Sequence, residues 1–242
     1  MNRTQIDEMD LRINQLGASL YFDANTIAHA GDAGITDFFV LYAGGRAGVM
    51  GDVTAEQVCS AFGFFDPGLV AKVWPTVLAT ARPTDIAAVF VAAMAHAAGQ
   101  AWDTPASETV VRLGTVAADS VTALGMPLFT GWRSLPRPTS ASGAAALVVH
   151  TLRELRGDVH IQSVAASGMA PIEAEVATRR GTAGLEMHGW RGEFPDHEPL
   201  LDRFAEVEAQ TSSRMQRIYT AALSSAELEQ LADAVASLVS NP

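Results

Sequence analysis

The sequence predicts an all-α protein, and three observations support that fold class. Apolar residues recur at helical spacing along most of the 242 residues, whereas the alternation typical of strands is almost absent. Capping boxes at Thr54–Gln57 (TAEQ) and Ser224–Glu227 (SSAE) mark two helix starts. The pairs Asp66-Pro67 and Thr104-Pro105 mark two more, because proline is well tolerated at the first position of a helix.

In the first half of the chain, periodicity and capping signals predict seven helices. Their bounds are about 4–22, 24–30, 36–43, 54–65, a helix from 67, 84–101 and 104–124. Gly44 and Gly45 are predicted to end the third helix, since glycine tolerates the left-handed conformation found there. The pair Trp74-Pro75 is predicted to interrupt the fifth, because the residue before a proline disfavours the helical region.

The composition changes at residues 125–138 (GMPLFTGWRSLPRP), which are too rich in glycine and proline for a regular helix. Beyond this segment we predict helices over about 140–156, 159–167, 171–180, 197–221 and 224–239. Gly157-Asp158 is predicted to turn the chain, and residues 181–195 are predicted to be irregular. This pattern predicts a helical domain over residues 1–125, a linker over 126–140 and a second helical domain over 141–242.

The net charge of −11 and the isoelectric point near 4.9 argue against nucleic-acid or anionic-membrane partners, which need a cationic surface. The only paired basic candidates are Arg179-Arg180 and Arg214 with Arg217. A single cysteine, Cys59, excludes an internal disulfide and a cysteine-rich zinc site. No apolar run approaches the ~20 residues of a membrane span, and the charged amino terminus lacks the apolar core of a signal peptide. We therefore expect a cytoplasmic protein with no membrane partner.

Residues 38–51 (FFVLYAGGRAGVMG) are the strongest candidate for a binding site, although they match no nucleotide-binding motif. Arg46 has two interpretations. At the carboxyl end of a helix, its guanidinium can bond free carbonyls and interact with the helix dipole. Alternatively, it lines a pocket and binds a carboxylate or phosphate in a bidentate way. The concentration of aromatic residues around one arginine predicts a small-molecule site, whose candidate residues are Phe22, Phe38, Tyr42, Arg46, Phe62, Asp158 and His160.

Two pairs in the second half also permit two interpretations each. His150 and Glu154 have the spacing of a two-ligand metal edge, but a helix-surface ion pair explains them equally well. Asp158 could orient His160 as a general base, or it could cap a helix whose first turn contains His160. The sequence contains neither a G-x-S-x-G elbow nor an H-E-x-x-H motif. No metal site is predicted, and no cofactor or catalytic residue is identified.

The order of several motifs resembles a known family. FFVLYAGGRAGVMG, AFGFFDPGLVAKVWP, GMPLF, LPRP, LRELRGDVH and the pair Gly189-Trp190 together are similar to an actinobacterial family of helix-turn-helix, or SalK-type, proteins, some of which are found in antibiotic gene clusters. The resemblance covers about residues 10–240. It implies an amino-terminal helical domain followed by a half similar to a winged helix, and it carries no catalytic assignment.

The chain departs from that family pattern after Gly189-Trp190, where Arg191–Pro195 runs almost directly into the last long helices. The presumed recognition helix and wing of the family are therefore predicted to be missing. Reading a DNA groove needs such an element, with basic residues around it. We predict a small-molecule-binding protein with a role in specialised metabolism that is not a competent DNA reader. The alternatives are a tailoring enzyme acting on an anionic small molecule and a DNA-binding transcriptional regulator.

The last two predicted helices are unusually apolar for a small domain. They carry Leu200, Leu201, Phe204, Val207, Met215, Ile218, Leu223, Leu228, Leu231, Val235 and Leu238. Winged-helix proteins often dimerise through such helices, which predicts a homodimer through the carboxyl-terminal helices.

Overall fold

The computed structural model describes residues 1–178 and 181–239, so the predicted basic pair Arg179-Arg180 lies outside the described residues. Two short 3₁₀ helices, Gly48–Met50 and Glu198–Leu200, accompany the α-helices. In chain order the α-helices are α1 Arg3–Ser19, α2 Ala24–Asp32, α3 Phe38–Ala47, α4 Ala55–Phe62, α5 Pro67–Thr80, α6 Pro83–Ala101, α7 Thr104–Asp119, α8 Pro127–Arg133, α9 Ala141–Ser167, α10 Pro171–Ala177, α11 Gly181–Met187, α12 Leu201–Ala222 and α13 Ser225–Ser237. No strand occurs in the described ranges, which confirms the all-α prediction.

Three of the predicted helix starts, at Thr54, Asp66 and Ser224, are confirmed by their hydrogen bonds. Thr54 and Ser224 each form a complete capping box, with Gln57 and Glu227 respectively. Asp66 accepts a hydrogen bond from the Leu69 backbone N–H at the start of α5. These side chains pair N–H groups that the first helical turn would otherwise leave unsatisfied.

The central element is α9, a continuous helix of 27 residues that packs against α1, α6, α7, α8 and α12. One apolar core lies between α9 and the group α1, α7, α12 and α13, and a second lies towards α2, α3, α5, α6 and α8. The predicted turn at Gly157-Asp158 is wrong, because both residues are helical. Burial on both sides keeps the helix regular through a glycine that would weaken it in isolation.

The prediction that Gly44 and Gly45 end the third helix is also wrong, because α3 continues to Ala47. These glycines instead allow α6 to pack closely. A Cβ added to Gly44 would lie 2.8 Å from Cγ2 of Ile86, and one added to Gly45 would lie 2.9 Å from Cγ of Phe90. Neither glycine adopts a positive φ angle.

Three further segments are helical where we predicted a break or irregular chain. Pro75 lies within α5 on its exposed side, where water can bond the carbonyl that proline leaves free. Residues 127–133 form α8, and its Leu128, Phe129 and Trp132 are fully buried. Residues 181–187 form α11. The aromatic residues of the predicted linker thus belong to the core.

The apolar residues that motivated the homodimer prediction pack within the chain. Val207, Leu231 and Leu238 have no exposed surface, and α13 packs against α1 and α7. Because these side chains are already buried within the chain, they do not supply the exposed apolar surface on which the homodimer prediction was based. The homodimer stays a prediction, which light scattering at micromolar concentration tests.

Among the described residues no single helix is long and apolar enough to cross a membrane. The helices α5 and α6 reach that length and composition only when taken together, and the chain bends by 88° between them.

Candidate functional site

A cavity of about 300 Å³ lies between α3, α4, the middle of α9, α10 and α12. Four of the predicted site residues line it, namely Tyr42, Arg46, Phe62 and His160. Other lining residues were not predicted, and they include Phe64, Phe65, Arg153, Arg156, Glu175, His188, Phe204 and Glu208. The fold thus gathers charged and aromatic side chains from distant parts of the chain around one space.

The other three predicted residues lie elsewhere. Phe22 is 55% exposed, and its ring centroid is 5.6 Å from that of Phe38, outside the cavity lining. The Asp158 carboxylate faces α8, where it accepts a hydrogen bond of 2.9 Å from the Phe129 backbone N–H. The hypothesis that Asp158 caps a following helix is wrong, because α9 continues through it. Burial raises the pKa of Asp158 to about 7.

Arg46 forms a buried ion pair with Glu154 of α9. Its Nε lies 3.1 and 3.2 Å from the two carboxylate oxygens, and its Nη2 lies 3.1 Å from Oε2. The guanidinium carbon is 4.6 Å from the ring centroid of Phe62. The interpretation that Arg46 bonds free carbonyls is wrong, since its guanidinium contacts Glu154 and Tyr42. The Arg46 carbonyl itself accepts a hydrogen bond from Trp132 Nε1.

Glu154 is fully buried and also accepts a hydrogen bond from Arg153. Burial raises the pKa of its carboxyl group, but the charges of Arg46 and Arg153 outweigh that effect and hold the pKa at about 2. The carboxylate is therefore ionised. Two guanidinium groups share one negative charge at this wall of the cavity, and no described residue accepts a hydrogen bond from Arg153 Nε.

His150 and Glu154 do not form the helix-surface pair that their spacing suggested, because both side chains are fully buried. His150 Nε2 lies 2.9 Å from the Tyr21 hydroxyl and 3.5 Å from Glu154 Oε1. Burial lowers the pKa of His150 to about 3, so the ring is neutral. In the described ranges, no group of three or more histidine, cysteine, aspartate or glutamate side chains is placed to hold a metal ion.

A second charged group lies further along the cavity, around Arg156. This guanidinium contacts Asp10 of α1 at 3.1 Å and Glu208 of α12 at 2.8 Å. Burial raises the pKa of Asp10 to about 6, so at neutral pH the Asp10 carboxyl group is mainly ionised. His160 Nδ1 lies 3.1 Å from Thr211 Oγ1 and 3.5 Å from Glu208 Oε1.

His188, the residue after α11, supplies a second imidazole to the cavity. Its Nδ1 lies 2.7 Å from the Glu175 carboxylate, which is almost completely buried. Its ring centroid is 4.4 Å from that of Phe65, and its backbone carbonyl accepts a hydrogen bond from the Asp66 N–H. Sequence reasoning missed this pair, because no spacing rule relates two residues on different helices.

The motif residues Gly189 and Trp190 follow His188 in the chain, and they pack against residues 64–69, which include the segment between α4 and α5. Trp190 Nε1 donates a hydrogen bond of 2.8 Å to the Phe64 carbonyl. Gly189 has a φ of +93°, and a Cβ added there would lie 2.6 Å from Cβ of Leu69. Glycine is thus needed at position 189 both for its backbone conformation and for close approach.

The model of a helix-turn-helix family matches residues 6–198, which is most of the chain. The chain therefore belongs to that helix-turn-helix family. No curated protein and no solved structure is significantly similar to it. The matched region includes both arginines that contact Glu154 and the Glu175–His188 pair, whereas Phe204 and Glu208 lie beyond it.

Proposed function

We propose that the protein binds a small organic molecule carrying a carboxylate or phosphate group in this cavity. The observation that supports the proposal is the excess of guanidinium over carboxylate around Glu154. Arg46 has five N–H donors, and Glu154 accepts one from Nε and one from Nη2. The contact of Nη1 with the Tyr42 hydroxyl is long, at 3.5 Å. Arg153 also lines the cavity, and in the part of the chain that the structure describes its buried Nε has no hydrogen-bond partner. Charge-assisted hydrogen bonds from such donors favour an anionic group.

The size and walls of the cavity also support a small organic ligand. Its volume of about 300 Å³ is at the lower end of the range of small-molecule sites. Phe62, Phe64, Phe65 and Phe204 provide apolar surface beside the charged groups. Ligand sites commonly combine apolar walls with a few polar groups that fix the ligand's orientation.

Thermal denaturation with 3-phenylpropionate or phenyl phosphate tests this proposal. A ligand that binds only the folded state raises the melting temperature with its concentration. We expect at least one of the two anions to do so, and we expect Arg153→Met to abolish the shift. The matched control is Arg82→Met, which removes an exposed arginine outside the cavity and should leave the shift intact. Absence of stabilisation by both anions would overturn the proposal.

Membership of a helix-turn-helix family makes DNA binding the second candidate. We infer from the resemblance to SalK-type proteins that the recognition helix and wing are missing, and that the ligand belongs to specialised metabolism. Residues 191–197 run without a helix from Trp190 to the 3₁₀ helix Glu198–Leu200, and the net charge is −11. Both features argue against sequence-specific contacts in a DNA groove. A gel shift on the promoter region of the protein's own gene at low salt, where electrostatic binding is strongest, should show no complex.

The pair of His188 and Glu175 favours an enzyme as the third candidate. A carboxylate that orients an imidazole beside bound substrate is a common arrangement for general acid–base catalysis. Native mass spectrometry after incubation with a metabolite extract distinguishes a binding protein from an enzyme. Binding alone leaves a captured molecule unchanged over time, whereas turnover consumes it in the wild type and not in His188→Gln.

A further inference from the structure

We infer that the ligand is a zwitterion of the amino-acid type with an aromatic side chain, a refinement that rests on the function proposed above. The charges around the cavity fall into two groups of opposite excess. Arg46 and Arg153 exceed Glu154 by one positive charge. The single guanidinium of Arg156 contacts two carboxyl groups, those of Asp10 and of Glu208, and Glu208 lines the cavity. A ligand with one charge of each sign matches both groups, whereas a simple anion matches only the first.

The two groups lie at different positions along the same face of α9. Arg153, Arg156, Gly157 and His160 all line the cavity, and their spacing of three, four and seven residues places them on one side of the helix. Arg153 and His160 are thus about 10 Å apart along the axis, at about 1.5 Å per residue. Arg46 and Arg153 hold the carboxylate, while Glu208, which contacts both Arg156 and His160, lies at the other end.

The second group retains hydrogen-bond acceptors for an ammonium. The Glu208 side chain is 37% exposed, and its Oε1 is 3.5 Å from His160, so this carboxylate still has lone pairs facing the cavity. The Glu175 carboxylate, which pairs with Nδ1 of His188, is a second carboxylate in the cavity lining. An ammonium has three donors and no acceptor, and it therefore suits this group.

The aromatic residues define the remaining part of the ligand. Phe65 lies between the two sides of the cavity, with its ring centroid 5.7 Å from Tyr42 and 4.4 Å from His188. Phe64 and Phe204 each pack against His160, at centroid distances of 5.4 and 5.8 Å. These side chains give the cavity an aromatic lining, and a further aromatic ring can pack against such a lining in edge-to-face or offset contact. The ligand class is therefore an aromatic amino acid or a close derivative.

Three compounds with the same phenyl ring and chain test the inference by calorimetry at pH 8, where an ordinary histidine is neutral. L-phenylalanine carries both charges, 3-phenylpropionate lacks the ammonium, and 2-phenylethylamine lacks the carboxylate. We expect L-phenylalanine to bind at least about 10-fold more tightly than either of the others. Equal affinity for L-phenylalanine and 3-phenylpropionate would overturn the inference and leave the proposed function standing. Failure of both carboxylates to bind, or tightest binding of the amine, would overturn the two together.

Two glutamine variants on α12 locate the ammonium. Glu208→Gln should reduce the preference for L-phenylalanine over 3-phenylpropionate by about 10-fold, without weakening 3-phenylpropionate. Glu206→Gln on the same helix is the matched control, because Glu206 is exposed and does not line the cavity. An unchanged preference in Glu208→Gln would show that this carboxylate does not recognise the ammonium, which contradicts the inference. Circular dichroism confirms that each variant is folded.

Discussion

Glu154 contacts both residues that line the cavity and residues of the protein interior. Its carboxylate is fully buried, yet it accepts hydrogen bonds from Arg46 and Arg153, which both line the cavity. His150 and Tyr21 extend the contacts on the inner side. Because a buried charge is tolerated only with its partners in place, the position of both guanidiniums depends on this one residue.

Arg46→Met should therefore destabilise the protein strongly. Removing one partner leaves Glu154 incompletely paired in the interior, and we expect the free energy of unfolding to fall by about 3 kcal/mol. Urea denaturation measures the loss. Arg82→Met removes an arginine from an exposed ion pair and should leave the urea midpoint unchanged. Equal midpoints for the two variants would show that the buried pair contributes little.

Asp158 should make stability depend on pH. Its pKa of about 7 exceeds the value of about 4 in an unfolded chain, so the folded state binds the proton more tightly. The free energy of unfolding should consequently fall as the pH rises from about 4 to about 7, by at most about 1.4 kcal/mol per pH unit. Asp158→Asn does not titrate and should lose this part of the slope in urea titrations. Parallel pH profiles for the wild type and the variant would contradict the assignment.

Sequence reasoning reached some of these residues and not others. Arg46, Tyr42 and Phe62 are close in the sequence, and aromatic residues around one arginine are a local signal. The partner of Arg46 is 108 residues away, and no local pattern joins the two. The spacing of His150 and Glu154 was recognised, but their burial depends on helices that pack over α9 from elsewhere in the chain.

At the scale of elements, α3 and α6 approach closely because two glycines replace side chains at their contact. In an isolated helix alanine is preferred to glycine, so these glycines have a packing role. The same logic explains why the two capping boxes located helix starts correctly, whereas the signals for helix ends did not locate the ends. A capping box acts within four residues, whereas Gly44, Pro75 and Gly157 are tolerated inside helices because of their tertiary surroundings.

Gly45→Ala should destabilise the protein although alanine favours helices. The new Cβ would lie 2.9 Å from Cγ of Phe90, which must move in a filled core, and we expect a loss of about 1–3 kcal/mol. Gly99→Ala in α6 is the control, because its Cβ would meet nothing closer than Ser142 Oγ at 3.9 Å. It should stabilise by up to about 1 kcal/mol. Thermal unfolding of both variants gives the comparison, and the same sign for both would contradict the packing argument.

At the scale of the whole molecule, the segment from α11 to Trp190 closes the cavity by binding the connection between α4 and α5. Its contacts are two hydrogen bonds, to the Phe64 carbonyl and from the Asp66 N–H, and the close approach of Gly189 to Leu69. The sequence predicted that the molecule is all-α, but not that these segments meet. Their contact joins residues more than 120 positions apart, which periodicity cannot reveal.

Gly189→Ala should weaken the packing of the segment Leu185–Trp190 against the connection between α4 and α5. The substitution combines a φ of +93° with a contact of 2.6 Å to Leu69, whereas Gly192→Ala has a φ of +96° and no atom within 4 Å. Both variants carry backbone strain of about 1 kcal/mol, but only Gly189→Ala also displaces its neighbour. We expect faster hydrogen exchange at Leu185–Trp190 and weaker binding of 3-phenylpropionate in Gly189→Ala alone. Matching exchange in both variants would show that the close approach is unimportant.

The continuity of α9 also restricts how the length of the chain can vary. Each residue inserted into a helix rotates everything beyond it by about 100°. One residue added between Gly157 and His160 would turn His160 off the face it shares with Arg153, while leaving the Glu154 ion pair in place. Four added residues would restore the orientation to within about 40° but shift it by about 6 Å along the axis. Relatives that keep this cavity should therefore differ in α9 by near-whole turns, with compensating changes where α12 packs against it.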